Sequence, residues 1–349
     1  MNLQDQRILI TGASGSLGKQ LVYELDHQGI KPICHVRETS DTSYIDSLKL
    51  EKRYADLRNR EQLAELVAGV DSIIHTAAWV NFRQDRLTQF TGINTIAAID
   101  LFNEASKAGV KRFVHVSTVA AVGGKERRNG KGNGGPRSAQ RLINENSQFN
   151  LGHLRIPYIM SKQAAETELA RLATESKTEL ITVNPSIIVA PSRTGDDRKT
   201  ALRKFFKSFI MPDFSNVLNL VDIRDVAPGI IAALDKGTPG ERYILAGDNI
   251  TGKDLALTAS VILGKTPHLL RIPRAALKAS ARMSVIGSRL MGKGKIAFYP
   301  DLVKMLDYDW AFSSLKARET LGYQFRSIHE TLEDILTGSF TGTYLKPAF

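Results

Sequence analysis

Short apolar runs alternate with amphipathic stretches along the first half of the chain. The runs with the pattern of buried strands cover residues 7–11, 31–36, 53–57, 70–75, 111–117 and 179–184. The stretches with helical spacing cover 19–28, 59–67, 94–108 and 158–176. Apolar strands that alternate with helices are typical of a parallel sheet covered on both faces. The pattern therefore predicts an α/β fold with a doubly wound parallel sheet.

The second half of the chain has a less regular pattern. It predicts a strand and the start of a helix over 221–227, a strand over 242–246, a helix over 251–263, and a capped helix over 309–323 that ends at Gly322. Asp225 has the position of an N-cap or a first-turn acid. We expect a sheet domain over 1–184 plus about 217–235, and a smaller, mostly C-terminal lobe over 185–216 and 236–349.

Composition and charge narrow the class of protein. The chain has 349 residues, a net charge of +11 and one cysteine, Cys34, so an intramolecular disulfide or a cysteine-based metal site is excluded. We expect no metal. The first residues lack a signal-peptide pattern and no apolar run reaches membrane-spanning length, so we expect a cytoplasmic protein. The positive charge favours an anionic partner, either a phosphate-rich cofactor, a nucleic acid or an anionic membrane surface.

A glycine-rich loop joins the first predicted strand to the first predicted helix. Its spacing, Gly12-x-x-Gly15-x-x-Gly18, permits a tight turn, a close approach of a pyrophosphate, and close packing of helix on strand. The helix N-terminus would offer free N–H groups to the phosphates. A plain turn between strand and helix is the alternative. The residues expected to contact a dinucleotide here are Gly12, Ser14, Gly15, Ser16, Leu17 and Gly18.

Further candidate cofactor contacts lie where other strands end. Arg37 follows the second strand, where an arginine suits the 2′-phosphate of NADP(H). Glu38 is the alternative, because an acid there would suit the ribose of NAD(H), and Arg37 would then be a solvated charge. Asp56 is a candidate acceptor for an adenine amino group, with Leu57 beside the ring. The small residues after the fourth strand leave room for a cofactor; they are Thr76, Ala77 and Ala78.

The sixth predicted strand leads into a proline that cannot continue the strand ladder. The turn that follows is a candidate site for backbone contacts to a nicotinamide carboxamide. It consists of Pro185, Ser186, Ile187 and Ile188.

A tyrosine and a lysine four residues apart form the candidate chemical centre. On a helix, Tyr158 and Lys162 would lie on one face. A nearby lysine cation favours the phenolate and lowers the pKa of the tyrosine, which predicts a general acid–base pair. The same spacing also occurs by chance, so this prediction depends on the surrounding motifs.

Two basic segments have no clear place in the sheet. Residues 123–141 contain six glycines and six basic residues against one acid, which is typical of a solvated flexible insertion or of a lid that attracts an anionic ligand. Residues 271–295 read as a basic amphipathic helix, either part of the substrate lobe or a contact with an anionic membrane.

Together, these motifs resemble the extended short-chain dehydrogenase/reductase family, the NAD(P)-dependent epimerase/dehydratase group. The chain is most similar to the dihydroflavonol 4-reductase and 3β-hydroxysteroid dehydrogenase-like branch. The resemblance spans about residues 7–336 and implies a Rossmann-type sheet. The pieces that carry it are Thr11-Gly12-x-x-Gly15-x-x-Gly18, Asp56-Leu57, His75-Thr-Ala-Ala78, Asn94, Ser117-Thr118, Tyr158-x-x-x-Lys162, Asn184-Pro185 and Val221-Asp-Ile-Arg-Asp225-Val.

The resemblance also implies residue roles. Tyr158 would be the proton donor or acceptor, and Lys162 would lower its pKa and bond the nicotinamide ribose. Thr118 or Ser117 would hold the substrate oxygen, and the spacing to Val122-Gly123 favours Thr118. Asn94 would belong to the cofactor site. Val122 stands where the family commonly has a tyrosine, a departure that bears on the substrate.

We therefore expect an oxidoreductase that interconverts a carbonyl and a secondary alcohol on a small, lipophilic or polycyclic substrate. NADP(H) is the expected cofactor and NAD(H) the second choice. The rival functions are an NAD-dependent sugar-nucleotide epimerase or dehydratase, against which Arg37 argues, and a non-enzymatic NADP sensor or scaffold, which needs no acid–base pair. Among macromolecules, a second copy of the chain and a membrane surface at 271–295 are candidate partners, and nucleic acid is not expected.

Overall fold

The structure, a computed structural model, describes residues 2–80, 87–127, 142–190, 216–266 and 300–337, with short pieces at 210–212, 268–270, 276, 279–280 and 283. The strands are β1 (Ile8–Thr11), β2 (Ile33–Val36), β3 (Lys52–Tyr54), β4 (Ser72–His75), β5 (Arg112–Val116), β6 (Lys125–Glu126), β7 (Glu179–Pro185), β8 (Ile187–Val189), β9 (Ile210–Pro212), β10 (Val217–Asp222), β11 (Arg242–Leu245), β12 (Asp248–Thr251), β13 (His268–Leu270) and β14 (Tyr308–Asp309). The helices are α1 (Ser16–His27), α2 (Ser43–Ser47), α3 (Arg60–Val67), α4 (Leu87–Phe90), α5 (Ala97–Lys107), α6 (Pro157–Ala173), α7 (Ile223–Lys236), α8 (Gly252–Ile262), α9 (Pro300–Met305), α10 (Leu315–Leu321) and α11 (Ile328–Thr337).

Seven strands form one parallel sheet. Its order is β11-β7-β5-β4-β1-β2-β3, and every neighbouring pair runs parallel. The central strands β1, β4 and β5 are buried along their whole length, as their unbroken apolar runs predict. The predicted doubly wound parallel sheet is confirmed.

Alternate residues of each strand face opposite layers of helices, because side chains of a strand point to opposite faces in turn. Ile8 and Ile10 of β1 pack with α1 and α7 on one face. Leu9, between them, packs with α3 and α5 on the other. Two apolar layers of this kind hold the sheet between helices, and they leave the carboxyl ends of the strands free for a site.

A smaller sheet begins where the chain leaves the large one. Strand β7 ends at Pro185, and after Ser186 the chain enters β8, which pairs with β10. Strand β12 completes this sheet on the other edge of β10. Pro185 is the last residue of β7 and pairs with Leu245, so the strand ends one residue later than predicted and the chain turns away after the proline.

The predicted helix over 309–323 is wrong in its first half. Asp309 lies in β14, which pairs with β6, and Phe312 forms a bridge with Ile143. Trp310 and Phe312 are buried in an apolar cluster, and the backbone N–H of Val217 donates to the carboxylate of Asp309. These contacts with distant segments outweigh local helix propensity. The helix begins only at Leu315 and ends before Gly322, as predicted for its C-terminus.

Two further predictions need correction at helix starts. Asn94 does not open a helix; it lies inside a π-helical turn, Thr91–Ile96, between α4 and α5. Helix α7 is capped by Asp222, whose side chain accepts from the N–H of Arg224, while Asp225 lies in the first turn. Asp225 is therefore a first-turn acid and not the N-cap.

The two basic segments are described only in part. Within 123–141, residues 125–126 form β6 and are therefore ordered against β14, and residues 128–141 lie outside the described residues. Most of 271–295 also lies outside them, so the predicted amphipathic helix and membrane contact are untested. Among the helices that the structure describes, none combines the length and apolar character needed to cross a bilayer.

Candidate active site

The glycine loop forms a cradle at the end of β1. Gly12 has φ +72°, and a Cβ there would lie 3.0 Å from the Cα of Ala77. A Cβ on Gly18 would lie 2.2 Å from the carbonyl oxygen of Gly12, so only glycine fits. Gly15 is the N-cap of α1, and no side chain caps that helix within the described residues. The cradle and the free N–H groups of the helix fit a pyrophosphate.

The other loop residues and the end of β4 lie around this cradle. Ser16 is exposed, while Ser14 and Leu17 are half-buried. The hydroxyl of Thr76 donates to the carbonyl of Thr11 at 2.6 Å, which holds Thr76 and Ala77 beside the loop. Ala78 follows them and is exposed. The structure thus brings the predicted loop and the predicted small residues together.

Basic side chains surround the ends of β2 and β3. Arg37 is exposed, and within the described part of the chain its guanidinium has no ion-pair partner. Asp56 is held by Arg58, whose guanidinium donates to both carboxylate oxygens. Arg58 and, more weakly, Arg37 lower the pKa of Asp56. Arg58, which the sequence reasoning did not single out, adds a second cation here. Leu57 is buried in the core beneath this edge.

Asn94 supports the site from the π-helical turn. Its side-chain oxygen accepts from the N–H of Trp79 at 2.6 Å, and its amide donates to the carbonyl of Trp79 and the hydroxyl of Ser161. It is buried. These bonds fix the backbone just after Ala78 and tie it to α6. Asn94 therefore has a structural role, in addition to the predicted contact with the cofactor.

The turn after β7 is built into two sheets. Pro185 lies opposite Leu245, and the N–H of Ser186 donates to the carbonyl of Leu245. Ile187 and Ile188 pair with β10, the first exposed and the second half-buried. The Ser186 hydroxyl is buried and has no hydrogen-bond partner within the described residues. The predicted nicotinamide contact at this turn is untested.

The acid–base candidates meet at the start of α6. Pro157 is the first residue of α6, where its missing N–H costs no hydrogen bond. The Thr118 hydroxyl lies close enough to the phenol of Tyr158 to lower its pKa. The ammonium of Lys162 donates to the carbonyl of Val116 at 2.6 Å and is only 2% exposed. The structure therefore brings Thr118, Tyr158 and Lys162 to the end of β5.

Burial dominates the electrostatics of this centre. It raises the pKa of Tyr158, and the Thr118 hydroxyl partly opposes this effect. It also lowers the pKa of Lys162 to about 8, and the charge of Glu166 partly opposes this. We expected Lys162 to lower the pKa of Tyr158. In the structure this pKa is raised instead, and burial is the largest cause. Thr118 is the group that opposes burial at the phenol.

Ser117 and Thr118 lie in different surroundings. Thr118 reaches Tyr158 and also caps the short helical turn that follows, by accepting from the N–H of Ala120. Ser117 is buried, and its hydroxyl has no partner at hydrogen-bonding geometry within the described residues. The Ser117 hydroxyl lies close enough to the carboxylate of Glu166 to lower the pKa of Glu166. Of the two hydroxyls, Thr118 faces the acid–base pair.

Three residues to which the sequence analysis assigned no role line the underside of this centre: Glu166, Asn184 and Arg242. Glu166, one turn after Lys162 on α6, accepts from the amide of Asn184 at 2.6 Å and from the guanidinium of Arg242 at 2.7 Å. The spacing from Lys162 to Glu166 was a usable signal for Glu166. Asn184, which belongs to the Asn184-Pro185 motif, and Arg242 come from distant strands, so their contacts with Glu166 had no local signal.

Comparison with known proteins decides the family. A family model, the NAD dependent epimerase/dehydratase family, matches residues 8–246. The chain belongs to this family. It is 28% identical to the sterol demethylase protein B of Methylococcus capsulatus, covering 90% of this chain and 92% of that one. It is 29% identical to a putative dihydroflavonol 4-reductase of Synechocystis, covering 93% and 92%.

A solved structure agrees with this assignment. The crystal structure of gox2253 is 29% identical in sequence, covers 95% of this chain and 97% of that chain, and superposes with a TM-score of 0.76. The chain is therefore an NAD(P)-dependent oxidoreductase of the epimerase/dehydratase family that acts on CH–OH groups. The resemblance inferred from the motifs and the Rossmann-type sheet are confirmed.

Proposed function

We propose that this protein interconverts a carbonyl and a secondary alcohol on a small lipophilic molecule, with NADP(H) as the preferred cofactor. The observation that carries the proposal is that the Thr118 hydroxyl lies close enough to the Tyr158 phenol to act on its pKa, with buried Lys162 one turn further along α6. The hydroxyls of Thr118 and Tyr158 can both donate to one substrate oxygen, and the ammonium of Lys162 lies behind them. This is the arrangement that a carbonyl reduction needs.

The chain's own residues then divide the work. The bound nicotinamide supplies or accepts the hydride. Thr118 donates to the carbonyl oxygen and stabilises the negative charge that develops there. Tyr158 donates its proton to the same oxygen. Because burial raises the pKa of Tyr158, the phenol is protonated at neutral pH, which suits its use as the acid in the direction of reduction.

The preference for NADP(H) rests on the charges at the ends of β2 and β3. Arg37 has an exposed guanidinium that is available to a phosphate, and Arg58 lies near it on Asp56. Two cations at this edge favour a ligand with an additional phosphate. Glu38 is also exposed next to Arg37 and keeps NAD(H) as the second candidate.

A lipophilic substrate suits the surroundings of Tyr158. The tyrosine packs against an apolar cluster that includes residues of the C-terminal segment, among them Tyr308 and Trp310. This supports the division into a cofactor domain and a smaller substrate lobe. The names of the relatives, a sterol demethylase protein and a dihydroflavonol 4-reductase, also point to polycyclic, largely apolar molecules.

The test is NADPH consumption by the purified protein with a panel of sterol, flavonoid and long-chain ketones. The proposal expects turnover with at least one ketone, faster with NADPH than with NADH, and transfer of deuterium from labelled NADPH to the carbon that bore the oxygen. The rival sugar-nucleotide function expects tightly bound NAD in the purified protein and isomerisation of UDP-glucose. That outcome, with no ketone reduced, would replace the proposal.

A further inference from the structure

A buried carboxylate lies beneath the acid–base pair. Glu166 is 4% exposed and takes part in no step of the proposed reaction. One of its oxygens accepts from Asn184 at the end of β7, and the other accepts from Arg242 of β11. A carboxylate so far from water needs such partners, because an unpaired buried charge is strongly destabilising.

Asn184 connects this carboxylate to Thr118. The amide nitrogen of Asn184 donates to Glu166 at 2.6 Å and also to the carbonyl oxygen of Thr118 at 3.0 Å. An amide has two N–H groups, so both bonds form at once. Glu166 therefore orients the amide that holds the backbone of Thr118, whose hydroxyl lies next to the phenol of Tyr158.

The charge of Glu166 also acts on Lys162. The titratable groups that act on this ammonium or are acted on by it are Glu166 from α6, His75 from β4 and His115 from β5. Burial lowers the pKa of His75 to about 3 and that of His115 well below its usual value, so both are uncharged at neutral pH. Within the described part of the chain, Glu166 is the negative charge that favours the ammonium.

We propose that Glu166 is a positioning residue, which keeps Lys162 charged in a desolvated site and, through Asn184, holds Thr118 against Tyr158. The proposal rests on the assignment of Tyr158, Thr118 and Lys162 to the reaction. Nothing in it requires Glu166 to touch substrate or cofactor.

Glu166 itself must be ionised for this role. Burial raises its pKa, while the Arg242 guanidinium, the Ser117 hydroxyl and the Asn184 amide oppose that rise. Donors on both carboxylate oxygens favour the charged form. The ion pair with Arg242 balances the negative charge of Glu166. Arg242 lies on the edge strand β11, and its side chain is partly exposed.

The test is the titration of Lys162 by carbon-13 NMR, on protein whose lysines are labelled at the carbon next to the amine. The Lys162 signal is identified by its absence in Lys162→Met. Glu166→Gln removes the charge and is expected to lower the proton affinity of Lys162 by about tenfold. The matched control is Glu168→Gln, on the exposed side of the same helix, which is expected to leave the titration unchanged.

A second variant covers the case in which Glu166→Gln does not fold because Arg242 is left unpaired. In Glu166→Gln with Arg242→Gln both charges are gone, and the same fall in the proton affinity of Lys162 is expected. An unchanged Lys162 titration in either variant overturns the proposal. No substrate or cofactor is used, so a shifted titration in a protein that reduces no ketone would contradict the proposed function alone.

Discussion

At the scale of single residues, the environment of each hydroxyl decides its use. The hydroxyls of Tyr158 and Thr118 lie next to each other beyond the end of β5, whereas the Ser117 hydroxyl lies in the buried region near Glu166. The sequence left Ser117 and Thr118, the two hydroxyls that follow β5, in competition, because adjacent residues at a strand end carry no local sign of which side chain faces the site. The closeness of its hydroxyl to Tyr158 favours Thr118.

Arg37 gives the first prediction at this scale. Arg37→Ala is expected to weaken NADPH binding by about 10- to 100-fold, because a charge-assisted hydrogen bond contributes about 1.5–3 kcal/mol. NADH lacks the 2′-phosphate and should bind Arg37→Ala as it binds the unchanged protein. Calorimetric titration with both nucleotides measures the difference, and Arg171→Ala, in the exposed pair with Glu168, serves as the control. Equal losses for both nucleotides would contradict the assignment of the phosphate to Arg37.

At the scale of elements, strand, loop and helix at the N-terminus were predictable because all the information is local. The strand-to-helix turn at Gly12–Gly18 depends on positions where a Cβ does not fit. Strand β14 was not predictable from residues 308–309, since its partner β6 lies at 125–126. The same holds for Asn184 and Arg242, which only the sheet brings to Glu166.

Gly18 gives the prediction for this scale. Gly18→Ala should destabilise the protein by about 1–3 kcal/mol, as overpacking of a close contact does. The added methyl would sit 2.2 Å from the Gly12 carbonyl oxygen, so the loop must move and dinucleotide binding should fall as well. Urea unfolding and nucleotide titration measure both effects. In the control, Gly92→Ala, no atom lies within 4 Å of the added methyl, and a Gly18→Ala protein as stable as this control would contradict the cradle.

At the scale of the whole molecule, a buried ionic cluster joins helix α11 to strand β10 and to the start of α7. Arg224, at the start of α7, donates to both oxygens of Asp222 and to Asp334 of α11 at 2.6 Å. Thr331 of α11 also donates to Asp222. The sequence showed Asp222 and Arg224 as neighbours in one motif, but the third partner, Asp334, lies 110 residues from Arg224 and had no local signal.

A substitution at Arg224 therefore tests whether this buried ionic cluster stabilises the protein. Arg224→Leu leaves two buried carboxylates without their cation and is expected to lower the free energy of unfolding by about 3–5 kcal/mol. Denaturant unfolding followed by circular dichroism measures the change. Arg171→Leu, which breaks an exposed pair, should produce no comparable loss. Equal losses in the free energy of unfolding for both variants would show that the cluster does not stabilise the packing of α11.

The reaction assignment depends most directly on the hydroxyl of Tyr158. The decisive measurement is steady-state reduction of the ketone found by the NADPH assay, with the unchanged protein and with Tyr158→Phe, beside NADPH titration of both. We predict that Tyr158→Phe binds NADPH as before and loses about 10²–10⁴ in turnover, the contribution of a positioned general acid. Near-normal turnover in Tyr158→Phe would contradict the account, because the proton would then come from another group.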